Sequence, residues 1–109
     1  MCQNDYIVRV IKETRVQEWW TKHRQAKSAL EEWLVKTKAA KWERFNDVQK
    51  TFKTADSVTV SSGRQVVVFD IKGGKFRLIA PIHYDRGKVF AMLFMTHAEY
   101  SKDKWKDNL

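Results

Sequence analysis

Arg77, His97 and Tyr100 are the side chains of this sequence whose types and spacing can do chemistry. A guanidinium is always charged and can grip a phosphate through two hydrogen bonds. A histidine titrates near neutral pH and acts as general acid or base. A tyrosine hydroxyl orients a reacting group or donates a proton, and its ring stacks on a base. Thr96 followed by Glu99 is a capping-box signature, so Thr96 is the predicted N-cap of a short helix. His97 then opens that helix, and Tyr100 lies three residues on, along the same face. A helix N-terminus adds free N–H groups and positive potential, which suit a phosphate. Together these groups can hold a phosphate and move protons around it. Each also has a plainer reading: Arg77 as an exposed arginine paired with Asp70 or Asp85, His97 as a neighbour of the helix cap, Tyr100 as a core aromatic.

Such a group of residues needs a scaffold that brings the seventies to the nineties. In the run Phe76 to His83, Phe76, Leu78, Ala80 and Ile82 share one face of a strand, and Arg77, Ile79, Pro81 and His83 share the other. The first set is the predicted core face, so Arg77 projects from the opposite side. Gly73-Gly74 suits a primed hairpin turn, because glycine tolerates positive φ, and joins this run to a strand over Val66 to Ile71. Asp85-Arg86-Gly87 marks a second turn, and Lys88 to Met95 a third strand. The pattern is a three-strand meander, then the helix capped by Thr96, which includes Tyr100 and extends toward Trp105. Upstream, Tyr6 to Ile11 is β-rich. Val16, Trp19, Trp20, Ala26, Leu30, Trp33 and Leu34 follow a helical period. With Thr14/Gln17 and Ser28/Glu31 as capping boxes, this stretch is either one long helix or, the favoured reading, two helices in an αα-hairpin that break between His23 and Ser28. Trp42 to Phe52 is predicted as a short connecting helix with Asn46 as its N-cap, and Thr54-Ala55-Asp56-Ser57 as loop. The order implies an α+β domain spanning residues 1–109, a mostly antiparallel sheet with the N-terminal helices on one face and a short C-terminal helix.

Composition bounds the partners. The chain has 109 residues and a formal net charge of +8, a balance that suits a polyanion or an acidic partner. Lys72, Lys75, Arg64, Arg86 and Lys88 flank the turns of the meander and are candidates for contact with an RNA backbone. Lysines near hairpin turns also serve solubility and edge protection. Cys2 is the single cysteine, which excludes an internal disulfide and a cysteine-based zinc site, and three widely spaced histidines make no metal site. No cofactor is expected. The polar start Met1 to Tyr6 lacks the apolar stretch of a signal peptide, and the longest apolar run, Val89 to Met95, is too short for a bilayer, so a cytoplasmic location is expected.

Three ordered elements carry a resemblance. Leu30-Glu31-Glu32-Trp33 lies on the helical segment. Val68-Phe69-Asp70-Ile71-Lys72-Gly73-Gly74-Lys75-Phe76-Arg77-Leu78 spans the hairpin, and Thr96-His97-Ala98-Glu99-Tyr100 closes the series. The chain resembles the HigB toxins of bacterial toxin–antitoxin pairs, which are RelE-like mRNA interferases, over roughly residues 16 to 102. It departs from their pattern at Gly74, where asparagine is usual, and in Ala91 to Met95, where an arginine or a small residue often stands. The resemblance implies a RelE-like fold and a metal-independent endoribonuclease that cuts mRNA, commonly in the ribosomal A site. It implies that Arg77 stabilises the phosphate, that His97 is acid or base, that Tyr100 orients the nucleotide or shares proton transfer, and that Lys75 adds charge. It also implies two partners: mRNA on the ribosome, and a cognate antitoxin with a helix-turn-helix. No membrane partner is implied. Two other functions are weighed: relatives on the same scaffold inhibit DNA gyrase, a reading that the Thr96-His97-Ala98-Glu99-Tyr100 ending argues against, and a basic RNA-binding module without catalysis would use Arg77 and the lysines alone.

Overall fold

Proline lacks an N–H and cannot donate to a strand ladder. In the computed structural model, which describes residues 9–109, Pro81 accordingly divides the long run into β4 (Phe76–Ala80) and β5 (Ile82–His83). The return run is divided too, into β6 (Lys88–Phe90) and β7 (Leu93–Thr96). At the break, Ala91 N–H donates to the Ile11 carbonyl at 3.1 Å and Met92 N–H to the Ile79 carbonyl at 3.1 Å. The chain thus passes from one sheet to another, and the expected single meander becomes two sheets.

The larger sheet, in the order β2-β3-β4-β7, is antiparallel throughout, with β2 over Asp56–Thr59 and β3 over Gln65–Ile71. Strand β2 takes in Asp56 and Ser57, which were expected as loop; their polar sequence hides a strand that pairs with Val67 and Val68 of β3. The smaller sheet has the order β1-β6-β5, and β1 (Arg9–Ile11) runs parallel to β6. Tyr6, Ile7 and Val8, expected in that first strand, lie outside the described residues.

The helical segment does break where expected. Helix α1 (Glu13–Lys22) ends with His23 N–H donating to the Trp19 carbonyl at 2.8 Å, a 3-10 turn covers Arg24–Ala26, and α2 runs over Lys27–Lys38. The expected caps are absent, however. Lys12, in the left-handed region, precedes α1, and Ala26 precedes α2, neither with a side-chain cap. Helix α3 (Phe45–Thr51) likewise starts after Arg44 rather than at Asn46, and the neighbouring Asp47 carboxylate accepts from the Glu43 N–H at 2.9 Å.

Apolar periodicity explains the packing. Val16 from α1, Ala26 from the 3-10 turn, Leu30, Trp33 and Leu34 from α2 and Val48 from α3 bury against Phe69, Ile71, Phe76, Leu78 and Ala80 of the sheet. Phe69 sits at the centre, edge-on to Trp33 at 5.4 Å and to Phe52 at 5.2 Å, geometry that adds to simple area burial. The sheet's other face is covered as well. Val60, Val66, Val68, Ile79 and Met95 form a second cluster, closed by Trp105 from a 3-10 turn over Lys104–Asn108. Trp105 is therefore core, in a turn separate from α4 (His97–Ser101).

Candidate functional site

Hairpin geometry positions Arg77. A four-residue loop between the paired Ile71 and Phe76 sets Asp70 opposite Arg77 across β3 and β4. Gly73 and Gly74 both have positive φ, +63° and +89°, as a primed turn needs, and Lys72 shares the left-handed region. Arg77 lies on the face of β4 that carries Ile79, at the border of the second cluster. It is neither fully exposed nor free. Its Nε lies 3.1 Å from Asp70 Oδ1, with side-chain exposures of only 15% and 31%, so the pair is partly shielded from water. Its Nη1 donates to the Gly74 carbonyl and, at 3.4 Å, to the Phe76 carbonyl. The guanidinium carbon stands 5.3 Å from the Tyr100 ring centroid, a cation–π distance.

The last strand delivers the other two groups. Phe76 pairs with Thr96 and Arg77 with Met95, so β7 ends beside the hairpin. Thr96 then caps α4 with a complete capping box: Glu99 N–H donates to Thr96 Oγ1 at 3.2 Å, and Thr96 N–H donates to Glu99 Oε1 at 3.0 Å. That second bond, chiefly, holds the Glu99 carboxyl below the usual carboxylate range. His97 N–H donates to the Lys75 carbonyl at 2.9 Å and ties the helix to the hairpin. With the N–H groups of His97 and Glu99 both engaged, this five-residue helix offers a phosphate its side chains more than its backbone. The His97 side chain is exposed.

Tyr100 packs as an aromatic at the edge of the second cluster, as its plainer reading expects. Its ring stacks on Trp105 at 5.3 Å and 20°, and its carbonyl accepts from Trp105 Nε1 at 3.1 Å. Burial, with Asp56 nearby, raises its hydroxyl above the ordinary tyrosine value, against the opposing pull of Lys106 and Arg77. At neutral pH the hydroxyl keeps its proton.

Arg77, Lys75, His97 and Tyr100 therefore share one corner. The remaining cations divide. Lys72 is on the same hairpin, its Nζ 3.5 Å from Gln25 Oε1 on the helical side. Arg64 precedes β3, at the far end of a seven-residue strand, about 23 Å along. Arg86 and Lys88 flank the β5–β6 turn, where Lys88 pairs with Arg9 across β1 and β6. The expected rim is thus two basic groups at opposite ends. Sequence reasoning named Asp70 only as one of two alternative partners for Arg77; the signal that decides between them is the loop length, which puts residue 70 opposite 77. No local signal marks Gly74's carbonyl as an acceptor or Trp105 as the floor under Tyr100. Among the described residues, no group of three His, Cys, Asp or Glu side chains is placed to hold a metal ion, and no helix is long and apolar enough to cross a membrane.

A family model described as HigB_toxin, RelE-like toxic component of a toxin-antitoxin system, matches residues 26–103. The matched span runs from the start of α2 through α4 and so includes the hairpin, Arg77, His97 and Tyr100. No curated protein matches the chain.

Proposed function

The chain belongs to the HigB toxin family, the RelE-like toxic components of toxin–antitoxin systems, and from that premise we propose that it is a metal-independent endoribonuclease that cuts mRNA in the ribosomal A site and is neutralised by a cognate helix-turn-helix antitoxin. One observation carries the reading: a partly buried arginine, fixed by a carboxylate and two carbonyls, lies against a tyrosine whose hydroxyl keeps its proton, on a helix tied to the hairpin at His97.

Without a metal, RNA is cut by attack of a 2′-OH on the adjacent phosphorus. The 2′-oxygen gives up its proton, a 2′,3′-cyclic phosphate forms, and the bond to the 5′-oxygen breaks as that oxygen gains a proton. Charge builds on the phosphate oxygens in between. Arg77 stabilises that charge from a fixed position, so no reorganisation is needed as the reaction proceeds. His97, exposed at the start of α4, takes or returns the proton. Tyr100 donates a hydrogen bond to the phosphate or the nucleotide, and Lys75 adds positive charge. The ribosome supplies the alignment of the 2′-OH with its phosphate, which a small open site cannot impose alone.

The test is to incubate the protein with mRNA, alone and on translating ribosomes, and to map the new 5′ ends. Cuts that need the ribosome and vanish in Arg77→Ala are the expected result. Cuts on free RNA would make the protein an autonomous ribonuclease. A folded protein that cuts neither substrate would refute the reading in favour of gyrase inhibition or RNA binding without catalysis.

A further inference from the structure

We propose that Asp70 is a positioning residue for Arg77: it locks the guanidinium so that the Nη2 edge alone is presented to a phosphate. The proposal rests on the ribonuclease reading above and adds to it how the phosphate is met. Three nitrogens are available on a guanidinium, with five N–H bonds between them. In Arg77, Nε faces Asp70 Oδ1 at 3.1 Å, and both Nη1 hydrogens have backbone acceptors, the carbonyls of Gly74 and Phe76. Among the described residues Nη2 has no hydrogen-bond partner, so its two N–H bonds are the ones left for a ligand. The familiar grip through Nε and Nη2 is closed, because the carboxylate already occupies Nε.

Asp70 acts through Arg77 and not on its own account. Its carboxylate is the cross-strand neighbour of Arg77 and is bound to its Nε, so it meets the substrate only through the arginine. The pairing has a cost in affinity. A carboxylate this close to the phosphate repels it and neutralises much of the arginine's distant pull, so attraction falls to Lys72 and Lys75 while Arg77 serves the reaction itself. A fixed arginine contributes where charge develops, and a loose one would have to be oriented during the reaction.

This division gives a signature that a merely structural residue lacks. In single-turnover cleavage of mRNA on programmed ribosomes, Asp70→Ala is expected to cut on the order of tenfold more slowly at saturating substrate, with a half-saturating concentration unchanged or lower. Asp70→Asn keeps an oxygen for Nε and is expected to recover part of the rate. In an Arg77→Ala background, Asp70→Ala is expected to change nothing further. Thermal melts of each variant establish that the compared proteins are folded; if Asp70→Ala melts below the assay temperature, Asp70→Asn carries the comparison and is expected to cut more slowly than wild type. Wild-type rates in the folded Asp70 variants, or a further loss on top of Arg77→Ala, would overturn the proposal alone. A wild-type protein that cuts no RNA would overturn the ribonuclease reading and the proposal with it.

Discussion

The two basic regions of the molecule, one at the β3–β4 hairpin and one at Arg64 with the β5–β6 turn, differ in how their charge is held. At the hairpin end, Arg77 is fixed by Asp70 and two carbonyls over the Tyr100 ring. At the other end Arg64 and Arg86 are exposed, Lys88 is half-buried, and among the described residues none of the three makes a salt bridge. A restrained cation acts at one point in space, whereas a solvated cation contributes to a field that salt screens. Equal charges on one small protein can thus do different work: one end suits chemistry on a phosphate, the other suits non-specific attraction of a polyanion.

Substitutions that break this contrast rank by size. Arg77→Ala is expected to lower cleavage by roughly 10²–10³-fold while ribosome binding changes little, read from single-turnover rates and co-sedimentation. His97→Gln is expected to cost about 10²-fold in cleavage with RNA binding intact; unchanged cleavage would remove His97 from the site. The two hairpin glycines give a sharper comparison. Both have positive φ, but a Cβ on Gly73 meets open space, while one on Gly74 would lie 3.2 Å from Arg77 Nη1. Each alanine is expected to destabilise the fold by about 1–2 kcal/mol, measured by denaturant titration. Only Gly74→Ala is expected to slow cleavage too, because it displaces the guanidinium.

Smaller effects test the other end and the cap. Arg86→Glu with Lys88→Glu is expected to weaken ribosome binding at low salt and flatten its salt dependence, with the saturated rate unchanged; a large loss of that rate would erase the contrast between the ends. Acid should loosen the α4 cap. Because the folded state lowers the Glu99 value, its stabilising contribution is complete above the ordinary carboxylate range and is lost as pH falls through the depressed one. Hydrogen exchange at the Thr96 N–H is expected to quicken over that acid window, once intrinsic rates are allowed for, and Glu99→Gln to remove the dependence.

Local chemistry made much of this arrangement readable. The alternation from Phe76 to Ile79, the paired glycines and the Thr96–Glu99 box each rest on neighbours in sequence, and each forms as read. Thr14–Gln17 and Ser28–Glu31 have the same pattern and form no caps, because the helices start elsewhere, at Glu13 and Lys27. Pro81 carried the signal for two sheets, since it cannot donate to a ladder, but the apolar run around it reads as continuous. The second cluster was hidden for a different reason. Trp105 reaches Ile79, Val66 and Val68 only after the chain has turned back under the sheet, and no spacing in sequence encodes that approach. The residues of the candidate site and one possible partner, Asp70, were therefore legible locally, while the carbonyls and the aromatic packing that restrain them come from the folded turn and from across the sheet.

Strand β7 passes into α4 with no residue between them, since Thr96 is both the last of the strand and the cap of the helix. The joint has no slack. Any force that lifts or slides this outer strand turns α4 with it, as a handle turns a key, and carries His97 and Tyr100 relative to an arginine anchored on the strand beside it.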